Sequence, residues 1–369
     1  MLPETLIREI TVAAYEIPTD QPEGDGTLAW SSTVLVVVRV RAGESEGLGW
    51  TYAGAAATSV VAGKLAGAVT GLDALDLPAA NEAMLRTCRN LGQPGIAACA
   101  ISAVDVALWD LKARLLDVSL AGLIGTARHA VPLYGSGGFT TYSDEITAAQ
   151  LEHWVGDLGL PRVKIKIGES WGSHEQRDLH RVALARRVVG DDVELYVDAN
   201  GAYRPKQAIR IGQAMSERSS VTWFEEPVSS DDLAGLRQVR DHCAIDVAAG
   251  EYGYSPWYYT PMLSANAVDC VQADVTRCGG ISGWLAVGHL AAAHHLDISG
   301  HCAPNLHAHV ALAAPNLRHL EYFHDHVRIE DLLFDGTLSP VGGALRPNSD
   351  VAWHGMAFKE VDAEPYRIA

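Results

Sequence analysis

Carboxylates end one apolar run after another through the second half of this chain, at a nearly constant interval. Asp198 closes LYVDAN, Glu225 lies in TWFEEP, Glu251 in DVAAGE, Asp274 in CVQAD and Glu321 in HLEYF. Lys164 and Lys166 in VKIKIG precede them in the same rhythm, and His301 in DISGH fills the one gap. The steps of about 20 to 32 residues match one strand, one helix and two loops. Charges that recur at this period, always at the C-terminal end of a strand, describe the mouth of a parallel (β/α) barrel, where strand ends converge on one cleft.

The runs between the charges support this. Candidate strands are 131–136, 163–167, 195–199, 222–226, 245–249, 268–273, 296–300 and 319–323, with helical patterns in the seven gaps. Short buried runs alternating with helices predict parallel strands with right-handed crossovers, and eight of them predict a closed barrel. Upstream, residues 6–17 and 31–41 (STVLVVVRVR) read as antiparallel strands. Residues 98–117 read as a helix with Ile101, Val104, Leu108, Leu111 and Leu115 on one face. Between the two strands, 18–29 is rich in proline, glycine and acid and lacks apolar periodicity. It is expected to be a mobile lid that orders only when it closes over the mouth.

Composition narrows the partners. A chain of 369 residues, 48% hydrophobic and 20% charged, can bury a large core. The formal net charge of −17 argues against nucleic acid and anionic membranes and leaves small molecules. Six cysteines without a CxxC or a regular spacing predict reduced thiols in the cytoplasm. The segment MLPETLIREI is too polar for a signal peptide, and runs such as TVLVVV are too short to span a membrane.

Asp198, Glu225 and Glu251 end three consecutive strands and so are neighbours on the rim. Three hard oxygen ligands suit a divalent cation, Mg²⁺ foremost. In a purely structural alternative each would cap the helix after it. Lys164 and Lys166, two apart on one strand, share a face, and Val163, Ile165 and Ile167 claim the other. Two inward ammonium groups repel, and burial adds to this. A lowered lysine pKa, hence a general base, is the expectation. Asp274 beside His301 would orient the ring and raise its basicity. The His307–Ala308–His309 motif could suggest a zinc hydrolase, but it falls in a helical stretch where positions two apart diverge.

The segments AISAVDVALWDLKARLLDVSLAGLIG, VKIKIG, VDANGAY, FEEP, AAGE, QADVTRCGGIS, ISGH and HLEY, in this order and spacing, resemble the mandelate racemase subgroup of the enolase superfamily over nearly the whole chain. That superfamily uses a lysine or histidine base with Mg²⁺ to stabilise an enediolate. The resemblance implies an α/β fold, a modified TIM barrel of (β/α)7β type with an α+β capping domain. On this reading 1–128 form the cap, 129–335 the barrel, and 336–369 a tail returning to the cap. It also implies Asp198, Glu225 and Glu251 as metal ligands, with Glu226 behind them, and Lys166 as one base assisted by Lys164. His301 with Asp274 would be the opposite acid–base, Glu321 a proton-bearing donor to the substrate carboxylate, and Asn200 a polar contact. Trp50 and Tyr52 are candidate substrate contacts from the cap. Two segments depart from the family pattern, VAWHGMAFKEV in the tail and the glycine-rich YGSGGFTTY on the first barrel strand.

The expected activity is abstraction of the proton α to a carboxylate, followed by loss of water from a sugar acid. The alternatives are racemisation, epimerisation or cycloisomerisation and, from another class, non-catalytic binding of a sugar acid. The resemblance also implies a homo-oligomer.

Overall fold

The computed structural model describes residues 4–369. Strands β1 (Ile7–Gly24), β2 (Ala29–Ala42) and β3 (Ser45–Tyr52) form an antiparallel sheet in that order. The period of two explains its position. Leu35 and Val37 join the core shared with the barrel, while Val36, Val38 and Val40 join a second core under the helices of the N-terminal region. The helix Ile96–Leu116 lies across β3. The contact is close because β3 carries glycines there. A Cβ at Gly49 would come within 2.3 Å of the Ala103 carbonyl oxygen, and one at Gly47 within 2.1 Å of that of Ala107. Gly49→Val is therefore expected to force sheet and helix apart at a cost of about 1–3 kcal/mol or more, read as a lower urea midpoint.

Eight strands follow: β4 (Val131–Gly137), β5 (Arg162–Lys166), β6 (Glu194–Asp198), β7 (Val221–Glu225), β8 (Asp246–Ala249), β9 (Cys270–Ala273), β10 (Asp297–Gly300) and β11 (Leu317–Phe323). They pair in parallel in sequence order, and β11 closes on β4 through Leu320↔Leu133 to Phe323↔Ser136. Each of the seven gaps contains helix. This is the eight-stranded (β/α) barrel that the spacing of the charges predicts. Outward residues such as Val163, Ile165, Leu195 and Val197 pack into the main core. Inside, Tyr134, Tyr196, Trp223 and His319 stack edge and face with centroids 4.7–6.5 Å apart and fill the barrel beneath its mouth.

The tail returns over the N-terminal sheet. The short strand Ala357–Phe358 pairs with Phe334–Asp335, and the Ile368 N–H donates to the Ala14 carbonyl at 2.8 Å beside β1. All six cysteines are unpaired. Among the described residues no helix is long and apolar enough to cross a membrane.

The segment 18–29 corrects the expectation of an unstructured lid. After an irregularity between Pro18 and Glu23, β1 and β2 continue as a hairpin through Glu23↔Trp30 and Gly24↔Ala29. Asp25 Oδ1 closes the turn by accepting from the backbone N–H groups of Thr27 (2.5 Å) and Leu28 (2.8 Å). The tip is seated on the barrel. The Trp171 N–H donates to Gly26 O at 2.8 Å, the Thr140 N–H to Gly24 O at 2.8 Å, and Thr140 Oγ1 to Asp25 O at 2.6 Å. Lack of apolar periodicity says that side-chain burial cannot order a segment alone. Here backbone pairing and an Asx-type turn supply the order instead.

Candidate active site

Parallel pairing brings the charged strand ends level. Lys166 is in register with Asp198, and Asp198 with Glu225, across β5, β6 and β7. Glu251, Asp274 and His301 lie just beyond β8, β9 and β10, and Glu321 lies within β11. All are buried. Lys164, Lys166, Asp198, Glu225, Glu251, Asp274, His301 and Glu321 therefore form one ring, as the sequence spacing predicts.

Both lysines point inward. Lys166 Nζ lies 2.5 Å from Asp198 Oδ2, which Lys164 Nζ also approaches at 3.7 Å. Lys164 Nζ is 2.6 Å from Glu225 Oε1 and 2.8 Å from Glu321 Oε1. These carboxylates reverse the expected lysine pKa. Burial pulls Lys166 down and Lys164 adds to that, but Asp198, Glu251 and Glu225 together outweigh both and the net shift is upward. Lys164 is likewise raised by Glu225 and Glu321 against its burial.

Glu321 differs from the expected proton-bearing donor. Its Oε1 accepts from Ser136 Oγ at 2.6 Å, and its Oε2 accepts from the Cys302 N–H at 3.0 Å. Burial would raise its pKa, but Lys164 and His301 hold it well below the usual carboxylate range. Each partner is a donor, so Glu321 stands here as an acceptor.

Across the ring, His301 Nδ1 lies 2.8 Å from Asp274 Oδ2. Asp274 Oδ1 also accepts from the Thr276 N–H and hydroxyl, both at 2.7 Å. Burial favours a neutral Asp274, yet the His301 hydrogen bond and Arg277 bring its pKa down. Burial likewise opposes the charged His301, and Glu251, Glu321 and Asp274 raise it. The strands carrying Lys166 and His301, β5 and β10, are separated by β4 and β11 on one side and by four strands on the other. The two groups therefore flank the cleft.

Asp198, Glu225 and Glu251 each offer an oxygen within 4.8 Å of the others'. Glu251 Oε2 is buried without a hydrogen-bond partner, although His301 Nε2 approaches to 3.4 Å, and Asn200 Oδ1 and Glu226 Oε1 are likewise buried and unpartnered. Glu225 and Glu226 are both pushed up, foremost by burial. An excess of buried, unpartnered hard oxygens around one point fits a divalent cation. His307 belongs to no such group. Its Nδ1 donates to Cys302 O at 2.8 Å, and its Nε2 accepts from the Val275 N–H at 3.0 Å. Both ring nitrogens thus serve the backbone, and His307–Ala308–His309 is not a zinc site here.

A cleft of ≈ 350 Å³ opens above the ring and is lined by Lys166, Asn200, Glu251, His301, Glu321 and Tyr52 among others. Trp50 is the exception among the substrate candidates. It is fully buried beneath the sheet, with its ring centroid 4.5 Å from that of Phe334 and its Nε1 donating to Glu330 Oε1 at 3.3 Å. Among the lining residues that the sequence does not mark out are two with titratable side chains near the ring. Arg277 stands three residues after Asp274, and His326 stacks on Tyr52 with centroids 3.4 Å apart. Their only sequence signal is position, each soon after a charged strand end.

Residues 8–125 match the family model described as the mandelate racemase / muconate lactonizing enzyme N-terminal domain, and 147–351 match the enolase C-terminal domain-like model. A crystal structure of a mandelate racemase/muconate lactonizing enzyme-like protein from Rubrobacter xylanophilus superposes with a TM-score of 0.94 at 46% identity, over 98% of this chain and 100% of that one. The L-talarate/galactarate dehydratase of Salmonella typhimurium is 32% identical over 301 residues, 79% of this chain and 74% of that protein. Its structure liganded with Mg and L-lyxarohydroxamate gives a TM-score of 0.89 at 26% identity, over 98% of this chain and 93% of that one. The 3,6-anhydro-alpha-L-galactonate cycloisomerase of Streptomyces coelicolor is 29% identical over 322 residues, 86% of this chain and 88% of that protein.

Proposed function

This chain belongs to the mandelate racemase and muconate lactonizing enzyme family of the enolase superfamily, and from that premise we propose that it dehydrates a sugar acid, beginning with removal of the proton α to the carboxylate. It is an enzyme, and its cofactor is Mg²⁺. One observation carries the reading. Lys166 and the Asp274–His301 pair flank a cleft from opposite sides, with three buried carboxylates beside them.

Asp198, Glu225 and Glu251 would hold the cation. Bound there, Mg²⁺ would supply positive charge beside the substrate carboxylate, with Asp198, the foremost of the carboxylates that raise Lys166, among the residues that hold it. Lys166 Nζ takes the α-proton. Lys164, kept charged by Glu225 and Glu321, donates a hydrogen bond to the substrate carboxylate as it gains charge. Glu321 orients Lys164. Asp274 fixes the His301 ring at Nδ1, so Nε2 faces the cleft and delivers the proton with which the β-hydroxyl leaves as water. The electron pair of the α C–H bond becomes the new C=C as the β C–O bond breaks, and the enol ketonises to a 2-keto-3-deoxy acid. Asn200 and Tyr52 are substrate contacts in this reading. We extend the proposal to a cytoplasmic homo-oligomer, whose mass by light scattering would exceed the 39.5 kDa of one chain.

The same two-sided arrangement favours a second reading for a substrate without a β-hydroxyl. Removal on one face and return on the other inverts the α-carbon. Incubation of the protein with Mg²⁺, a sugar-acid library and semicarbazide separates the readings. The expected result is a semicarbazone from at least one acid. Solvent deuterium at the α-carbon without a keto product would replace dehydration by racemisation or epimerisation. The absence of both signals from every acid would overturn both readings and leave cycloisomerisation.

A further inference from the structure

The cleft has two dissimilar walls. The barrel contributes the charged ring. The cap contributes Asp25, Trp30, Ser32, Thr33 and Tyr52, with no lysine or arginine. Each side-chain donor among these already donates to a carboxylate. Trp30 Nε1–H goes to Glu23 Oε2 (2.9 Å), Ser32 Oγ to Glu16 Oε1 (2.7 Å), Thr33 Oγ1 to Asp325 Oδ2 (2.5 Å) and Tyr52 Oη to Glu330 Oε1 (3.2 Å). What Ser32, Thr33 and Asp25 leave for the cleft is lone pairs. The hydrogen bonds on the Asp25 carboxylate all fall on Oδ1. His326 adds one neutral donor. Its Nδ1 accepts from the Ala303 N–H at 3.2 Å, which places the proton on Nε2, and burial pushes its pKa down to about 3. Arg277, on the barrel wall, already faces Glu251 at 3.4 Å and Asp274 at 3.4 Å.

We infer that the substrate is an aldonate, a sugar acid with one carboxylate and a neutral polyhydroxyl tail, and that the cap wall selects against aldarates, which carry a carboxylate at each end. This rests on the dehydratase reading above. Hydroxyl groups of a tail can donate to the lone pairs of Ser32, Thr33 and Asp25. A second carboxylate has no proton to donate, and it would bring its charge to Asp25 within a partly desolvated cleft. The wall thus acts by repulsion as much as by attraction.

The test uses matched pairs, each aldonate with the aldarate that shares its C2–C5 stereochemistry, on the Mg²⁺-loaded protein. The expected result is a kcat/KM for the accepted aldonate higher by roughly 100-fold or more than for its aldarate. Asp25→Asn, which keeps the Oδ1 that closes the hairpin turn, should narrow that ratio about tenfold or more. An unchanged ratio would remove Asp25 from the selection. Keto product from an aldarate at an equal or higher kcat/KM would leave the dehydratase reading intact and overturn the inference. Keto product from no acid would overturn the dehydratase reading instead. Calorimetric titration of the same pairs then decides the cap separately, with tighter aldonate binding supporting the selection and equal or tighter aldarate binding sinking it.

Discussion

Stripping divalent cations with EDTA is expected to bring turnover to background, and added Mg²⁺ to restore it, whereas Glu225→Gln is expected to make the loss permanent. Asp198, Glu225 and Glu251 are buried with Glu226 and Glu321 near them, and Lys164, Lys166 and His301 cannot pair with all their oxygens. A cation at their centre is worth several kcal/mol to the developing charge, so its loss should lower kcat/KM by roughly a thousandfold or more. Glutamine keeps the size of Glu225 but has only one carbonyl oxygen. That oxygen cannot serve both Lys164 Nζ at 2.6 Å and Trp223 Nε1 at 3.0 Å, so a stability cost of about 1–3 kcal/mol accompanies the lost site. Near-UV circular dichroism checks that the fold survives, and calorimetric Mg²⁺ titration checks the site. Full activity in excess EDTA would end the metal assignment.

Lys166→Ala and His301→Asn are each expected to lower kcat by roughly a hundred- to ten-thousand-fold, the usual contribution of a positioned acid or base. Their difference is more telling than their size. For a substrate whose α-proton faces Lys166, His301→Asn should still exchange that proton with solvent deuterium while forming no keto product. Lys166→Ala should do neither. Mass spectrometry of recovered substrate reads the exchange. Unchanged turnover in both variants would refute the pairing of the two groups across the cleft.

The barrel was legible because a strand buried on both faces leaves a continuous apolar run, and a charge can break that run cheaply only at its end. The period-two spacing of Lys164 and Lys166 showed which face they share. What depends on distant chain was not legible. Trp50 sits on a strand with two buried faces, and its partner Glu330 is 280 residues away. The protonation of Glu321 and Lys166 depends on carboxylates and ammonium groups brought together by strand pairing, and the spacing of the residues does not carry that balance. The hairpin at 18–29 looked unstructured because composition reports side-chain burial and not backbone pairing. Arg277 and His326 follow charged strand ends but belong to no period.

The seat of that hairpin has a consequence for how the enzyme can change over time. A Cβ at Gly26 would meet the carbonyl oxygens of Ala199, Ile167 and Gly168 at 2.7–2.9 Å, and the Gly26 carbonyl accepts from the Trp171 N–H. The joint between hairpin and barrel is thus made largely of main chain. Side chains along the hairpin other than Asp25, whose Oδ1 closes the turn, can be exchanged without loosening it, provided position 26 stays glycine. The lineage can then drift in what it accepts while inheriting its acid–base apparatus unaltered, and Gly26 is where a single substitution would disturb both together.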